Sequence, residues 1–182
     1  MNKKPLLKPK IYSSKLLIMN NTIKVTFDNS RNIFFLNETK DSKRIFDLKF
    51  KNFFGLSAPS ISKFNANKNN IVLWARKNSY FIISNETFNK LTSVFDISGS
   101  VTDQTGGWLI FKIKGRGSLS LFEKLLSINL CNFLAGNCIR TSINKINCFV
   151  LCKKKFENYQ IICPISFSES MKSRLTELIK LT

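Results

Sequence analysis

The sequence predicts an α+β protein made of two pseudo-repeated β-α-β-β-α units with mainly antiparallel sheets. Three observations carry this. Short apolar runs of strand composition come in pairs joined by brief polar links, as hairpins do. Helical stretches separate these pairs, and the order β-α-β-β-α is followed by β-α-β-β-β-α, a repeat of topology without repeat of sequence. The 182 residues, 43% hydrophobic, suffice for one domain or two small halves sharing a core.

The chain divides into a basic N-terminal tail (1–22), a first α+β half (23–97) and a second (98–182), together one compact domain. The tail carries Pro5 and Pro9 and reads as an extended or disordered terminus. Ile23 to Phe27 alternates as a short strand, and Arg31 to Leu36 reads as a buried one. Ser42 precedes a helical pattern through Phe46, Phe50 and Phe54, closed by Gly55. Leu56 to Asn70 is polar and predicts a loop. Ile71–Arg76 and Tyr80–Ser84 flank Lys77-Asn78-Ser79 as a hairpin, and Asn85 is placed to cap the next helix.

Val101 to Leu130 organises the second half. Gly106-Gly107 separates two β-like runs and predicts a tight hairpin. In the second run Lys112 and Lys114 face away from Phe111 and Ile113. Gly115-Arg116-Gly117 breaks this strand, and Ser118 is placed to cap a helix through Leu119, Phe122, Leu125 and Leu126. Cys138–Ile143, Cys148–Cys152 and Tyr159–Ile165 then read as strands, turning at Asn144-Lys145 and Glu157-Asn158. Ser166 and Glu169 have capping-box spacing before a final helix with Met171, Leu175, Leu178 and Ile179 on one face.

Composition excludes much chemistry. There is no histidine, which removes the commonest general base near neutral pH and all histidine metal sites. The 11 acidic residues are scattered. No catalytic residue and no metal site is expected. The net charge of +18 invites a nucleic-acid reading. However, 23 of the 29 basic residues are Lys and six are Arg. Arg would be favoured for bidentate phosphate and base contacts, and A/T-rich codons enrich Lys without any such role. No apolar run is long enough to span a bilayer or resembles a signal peptide, so a cytoplasmic location is expected. Five cysteines, an odd number on apolar runs, read as reduced and buried.

Trp74 and Trp108 lie in apolar strands, where core or subunit interface is favoured over a ligand pocket. Arg140 is set in an alternating strand and either pairs with a carboxylate across a subunit interface or makes a local ion pair. These three residues are the candidate subunit-interface positions. Gly115-x-Gly117 lacks the third glycine and the Lys of a phosphate loop and reads as a turn. Asp103, beside Thr102 and Thr105, reads as a turn-fixing side chain rather than a base.

The order of these strings resembles the gamma subunit of heterotetrameric sarcosine oxidase. The resemblance rests on IVLWARKNSYFIIS at 71–84, on VTDQTGGWLIFKIKGRGSLSLFEKLLSINL at 101–130, on Arg140-Thr141, and on CPISFSESMKSRL near the C-terminus. That subunit is similar in turn to the folate-binding half of aminomethyltransferases of the glycine-cleavage T-protein type. The resemblance implies an aminomethyltransferase folate-domain-like fold and a hetero-oligomer that oxidatively demethylates sarcosine. It also implies FAD, FMN, NAD and tetrahydrofolate in partner subunits, with no cofactor on this chain. Where aminomethyltransferases place a glycine and paired aspartates, this sequence has Asn147, Cys148 and Phe149, which offer no carboxylate to a pteridine ring.

Three functional readings follow. The first is a non-catalytic gamma-type subunit. The second is a stand-alone folate-binding aminomethyltransferase-like protein, and the third a basic nucleic-acid-binding module.

Overall fold

The computed structural model describes residues 15–28 and 30–181. Two sheets stack face to face, and each carries two helices on its outer side. The first sheet has the order β1 (Lys15–Met19), β2 (Lys24–Asp28), β8 (Trp108–Lys114), β11 (Asn158–Pro164), β10 (Ile146–Lys154), β9 (Cys138–Ile143). The second has the order β4 (Phe64–Ala66), β5 (Ile71–Arg76), β6 (Ser79–Ser84), β3 (Asn32–Glu38), β7 (Gly99–Asp103). Each of these pairings is antiparallel. Helices α1 (Lys43–Phe54) and α2 (Phe88–Phe95) cover the second sheet, and α3 (Ser118–Leu125) and α4 (Ser168–Lys180) cover the first.

Side-chain alternation along the strands builds three cores from two sheets. On β8, Leu109, Phe111 and Ile113 pack under α3 and α4, while Ile110 and Trp108 turn toward the other sheet. On β6, Tyr80 and Ile82 pack under α1 and α2, while Phe81 and Ile83 join Ile110, Phe149 and Ile162 between the sheets. A strand covered on both faces needs apolar residues on both, hence continuous runs such as Leu109-Ile110-Phe111. The helix over the second sheet is aromatic: Phe46, Phe50 and Phe54 of α1 are buried at every fourth position. Their rings meet Tyr80 and Phe95 at centroid separations of 5.4 to 6.4 Å. Gly55 closes α1 in the left-handed conformation, its N–H donating to Lys51 O at 2.9 Å.

The chain changes sheets twice, between Asp28 and Asn32 and between Asp103 and Trp108. The two crossings are stitched together. Gln104 N–H donates to Ile33 O at 2.8 Å, and Ile33 N–H donates to Thr105 Oγ1 at 3.0 Å.

This geometry corrects the hairpin expected across Gly106-Gly107. β7 pairs with β3, and β8 pairs with β2 and β11, so the two runs never pair with each other. The turn is real: Gly107 N–H donates to Gln104 O at 3.0 Å with Gly106 at φ 80°. It hands the chain from one sheet to the other, and Asp103 Oδ1 fixes it by accepting the Thr105 N–H at 2.8 Å. By contrast, Asn144-Lys145 makes a tight hairpin with both residues at positive φ, 49° and 65°.

Other expectations shift by a residue or two. The expected loop 56–70 contains the short strand β4, and β1 lies inside the expected tail, whose residues 1–14 fall outside the described ones. Thr87 rather than Asn85 stands at the N-cap of α2, Gly117 rather than Ser118 at that of α3, and Phe167 at that of α4. None of these three helices has a side-chain cap bond, and at α3 and α4 the expected capping groups find other partners. Ser118 Oγ lies 3.4 Å from Glu157 O, and Glu169 pairs with Lys172 at 2.6 Å.

Candidate functional site

The three candidate interface residues occupy two separate places. Trp74 lies on the helix-facing side of the second sheet, opposite Tyr80 across the β5–β6 ladder. Trp108 lies between the sheets, edge-on to Phe81 at 5.1 Å and tilted against Phe149 at 6.0 Å. Arg140 is exposed on β9, the edge of the first sheet, its guanidinium 5.7 Å from the Phe149 ring centroid. Phe149 therefore joins Trp108 and Arg140, while the second sheet separates both from Trp74. Among the described residues no carboxylate forms an ion pair with Arg140, so the local ion pair is not made and its donors stay open.

Trp74 and Tyr80 form the floor of a groove of about 680 Å³. Helix α1 supplies Lys43, Asp47 and Lys51 to one wall, and the segment Ser57–Ile61 forms the other. Ile61 stands 70% exposed at the rim. Lys43 Nζ lies 3.0 Å from Asp47 Oδ2 and 3.9 Å from Glu38 Oε2. The hydrogen bond that Lys43 donates to Asp47 raises the Lys43 pKa, and burial raises that of Tyr80. Both groups therefore hold their protons at neutral pH. The groove offers an apolar aromatic floor, hydrogen-bond donors and one carboxylate, Asp47, which is paired with Lys43.

The thiols are equally quiet. Cys138, Cys148, Cys152 and Cys163 are buried and free, and Cys131 is exposed. Burial pushes Cys138, Cys148 and Cys163 up to about 12 and Cys152 to about 11, which suppresses the nucleophilic thiolate. Gly115 and Gly117 form no phosphate cradle, because their N–H groups already donate to Glu157 O and Thr22 O. Asn147, Cys148 and Phe149 lie along β10 rather than in the turn. Asn147 is exposed, Cys148 is in the core under the helices and Phe149 is between the sheets.

This is a four-layer α+β fold with helices outside two antiparallel sheets. No family model and no curated protein matches the sequence. Solved structures do match the fold. A chain of heterotetrameric sarcosine oxidase from Corynebacterium sp. U-96, in complex with pyrrole 2-carboxylate, superposes with a TM-score of 0.73 at 17% identity. The match covers 86% of this chain and 84% of that one. The glycine cleavage system aminomethyltransferase T from Bartonella henselae superposes with a TM-score of 0.55 at 9% identity, over 81% of this chain but 43% of that one. The aminomethyltransferase-like α+β fold expected from the sequence is thus the fold observed. Among the described residues no helix is long and apolar enough to cross a membrane.

Proposed function

We propose that this chain is a non-catalytic, gamma-type subunit of a sarcosine oxidase-like complex in the cytoplasm. The single observation that supports this most is the closeness of the superposition: a TM-score of 0.73 over 86% of this chain on a chain of a heterotetrameric oxidase, against 0.55 over 81% on the aminomethyltransferase. The suppressed thiols agree with a supporting role. FAD, FMN, NAD and tetrahydrofolate would sit in the partner subunits, where sarcosine is demethylated and its one-carbon unit captured. The Trp74 groove and the Arg140 edge are the faces offered for docking.

The test is affinity purification of the tagged full chain from its native host. The expected result is stoichiometric recovery of flavin-bearing subunits, with recovery reduced by Trp74→Ala or Arg140→Ala. A stable monomer that ignores those subunits would overturn the reading. Micromolar tetrahydrofolate binding by the isolated chain, measured by calorimetry, would favour the stand-alone folate-binding alternative instead.

A further inference from the structure

A polar cluster sits at one end of the space between the sheets, apart from both faces described above. Along β8 and β11 the inward side changes character. Ile110 and Ile162 are paired apolar neighbours inside the inter-sheet core. Two residues along on the same face come Lys112 and Gln160, also cross-strand partners, flanked by Thr26 and Leu151. Lys112 Nζ lies 2.6 Å from Asp28 Oδ2. Lys153 joins them from β10, where alternation past the inter-sheet residues Phe149 and Leu151 places it on the same face, beside a register shift between Cys152↔Tyr159 and Lys154↔Asn158. Its Nζ lies 4.5 Å from the Phe64 ring centroid. Burial, with Arg31 and Lys112 nearby, lowers its pKa to about 8.

The charges do not balance. Among the described residues Asp28 is the one carboxylate interacting with this group of three cations, and its oxygens are engaged: Oδ2 with Lys112, Oδ1 with the Ser30 N–H and hydroxyl. Among the described residues neither Arg31 nor Lys153 has a hydrogen-bonded oxygen partner. Gln160 is 8% exposed, and its Oε1 accepts no hydrogen bond. Buried acceptors normally find a donor, and one left open in a cationic cleft calls for a donor from outside. Lys112 also lines a neighbouring cavity of about 260 Å³ on the same sheet face, together with Lys24, Thr26 and Lys114.

We infer that this cleft binds a small oxyanion, a carboxylate or phosphate that carries its own O–H or N–H donor. The anionic oxygens lie among Arg31, Lys112 and Lys153, and the donor bonds to Gln160 Oε1. Phe64 and Leu151 form the apolar side of the site. Charge alone would accept any anion; the buried amide acceptor makes the site selective for an anion that also donates.

Calorimetry on the full chain at constant ionic strength tests this with glycolate, acetate, inorganic phosphate and chloride. Glycolate carries a hydroxyl beside its carboxylate, acetate lacks one, and phosphate is partly protonated near neutral pH. The expected result is saturable one-to-one binding of glycolate or phosphate, at least tenfold tighter than acetate or chloride. The tighter of the two identifies the oxyanion. Lys153→Met should weaken that ligand at least tenfold, and Gln160→Leu should bring it down to the level of acetate. Lys40→Gln, an exposed lysine elsewhere, should change nothing. Unsaturable heats for all four anions, or an equal loss in Lys40→Gln, would overturn the inference. So would glycolate and phosphate binding no tighter than acetate, or full affinity in Lys153→Met.

Discussion

Gly115 packs so closely on Thr22 that a Cβ built on it would lie 2.0 Å from the Thr22 carbonyl oxygen. The same glycine has φ 128°, and its N–H donates to Glu157 O at 2.9 Å. Gly117 N–H donates to Thr22 O at 3.2 Å. The turn before α3 is therefore where the lead into β2 docks. Gly115→Ala must displace backbone and is expected to cost about 3 kcal/mol. Gly136 is the control: φ is 85° but nothing lies within 4 Å of its built Cβ. Gly136→Ala should cost about 1 kcal/mol, from backbone strain alone. Thermal melts of both variants check this, and equal losses would refute the close-approach account.

Asp28 and Lys112 join β2 to β8 by charge as well as by ladder. Burial pushes the Asp28 carboxyl up, but hydrogen bonds from Lys112 and Ser30 outweigh it and hold the pKa at about 2, against 3.8 ordinarily. The unfolded state therefore binds the proton first as pH falls. The stabilisation is complete above 3.8 and is lost as pH drops through 2. Asp28→Asn should cost about 2 kcal/mol at pH 7, since Lys112 is only partly exposed and loses its carboxylate. The gap between wild type and variant should close between pH 4 and pH 2. Urea titrations across that range measure it; a gap that stays constant would mean that the charge contributes nothing.

Local strings carried most of the element order and little of the pairing. Asn144-Lys145 and Asn78 announce their turns because they are residues placed between two apolar runs, and both turns use positive φ. The Gly106-Gly107 turn has equally good chemistry, yet joins strands of different sheets. Nothing in Val101–Lys114 encodes that β7 will find β3, far back in the chain. The one local hint is that Leu109, Ile110 and Phe111 are all buried. That run fits a strand covered on both faces, so Lys112 and Lys114, which face away from the helix-side core, point to the inter-sheet side. β4 is three residues long and has no periodicity to detect. Even where the cap residue is the expected one, its chemistry goes elsewhere: Ser42 stands at the N-cap of α1 yet its hydroxyl faces Thr39 O and Ser98 O, the second a contact only the folded chain brings near. The cationic cleft was invisible for the same reason. Arg31, Lys112 and Lys153 come from distant segments that only the folded sheets bring near one another.

The five thiols should divide by exposure. Cys131 is exposed, while the other four are buried with their protons held tightly. A chromogenic disulfide reagent at pH 8 should find one fast thiol in the folded chain and four more only in denaturant. Two or more fast thiols before unfolding would show that the cores open readily or that a buried cysteine is more accessible than its packing implies.

Lys153 also makes stability rise with pH, as Asp28 does, but in an alkaline window and by relief of a cost rather than gain of an attraction. Its pKa falls from 10.5 to about 8, chiefly through burial. Below pH 8 both folded and unfolded chains hold the proton, and the folded state bears the full cost of a poorly solvated charge. Between 8 and 10.5 the unfolded state binds more protons, so stability rises with pH through that window. With its partial exposure discounted, the penalty at pH 7 is about 1–2 kcal/mol. Lys153→Met removes the charge and keeps most of the length beside Phe64. It should therefore be more stable than wild type by that amount at pH 7, with the advantage vanishing near pH 10.5. Chemical denaturation at pH 7, 8.5 and 10 measures the difference. A variant less stable than wild type at pH 7 would mean that Lys153 is satisfied in the free protein, and the cleft would then have no unmet charge to offer an anion.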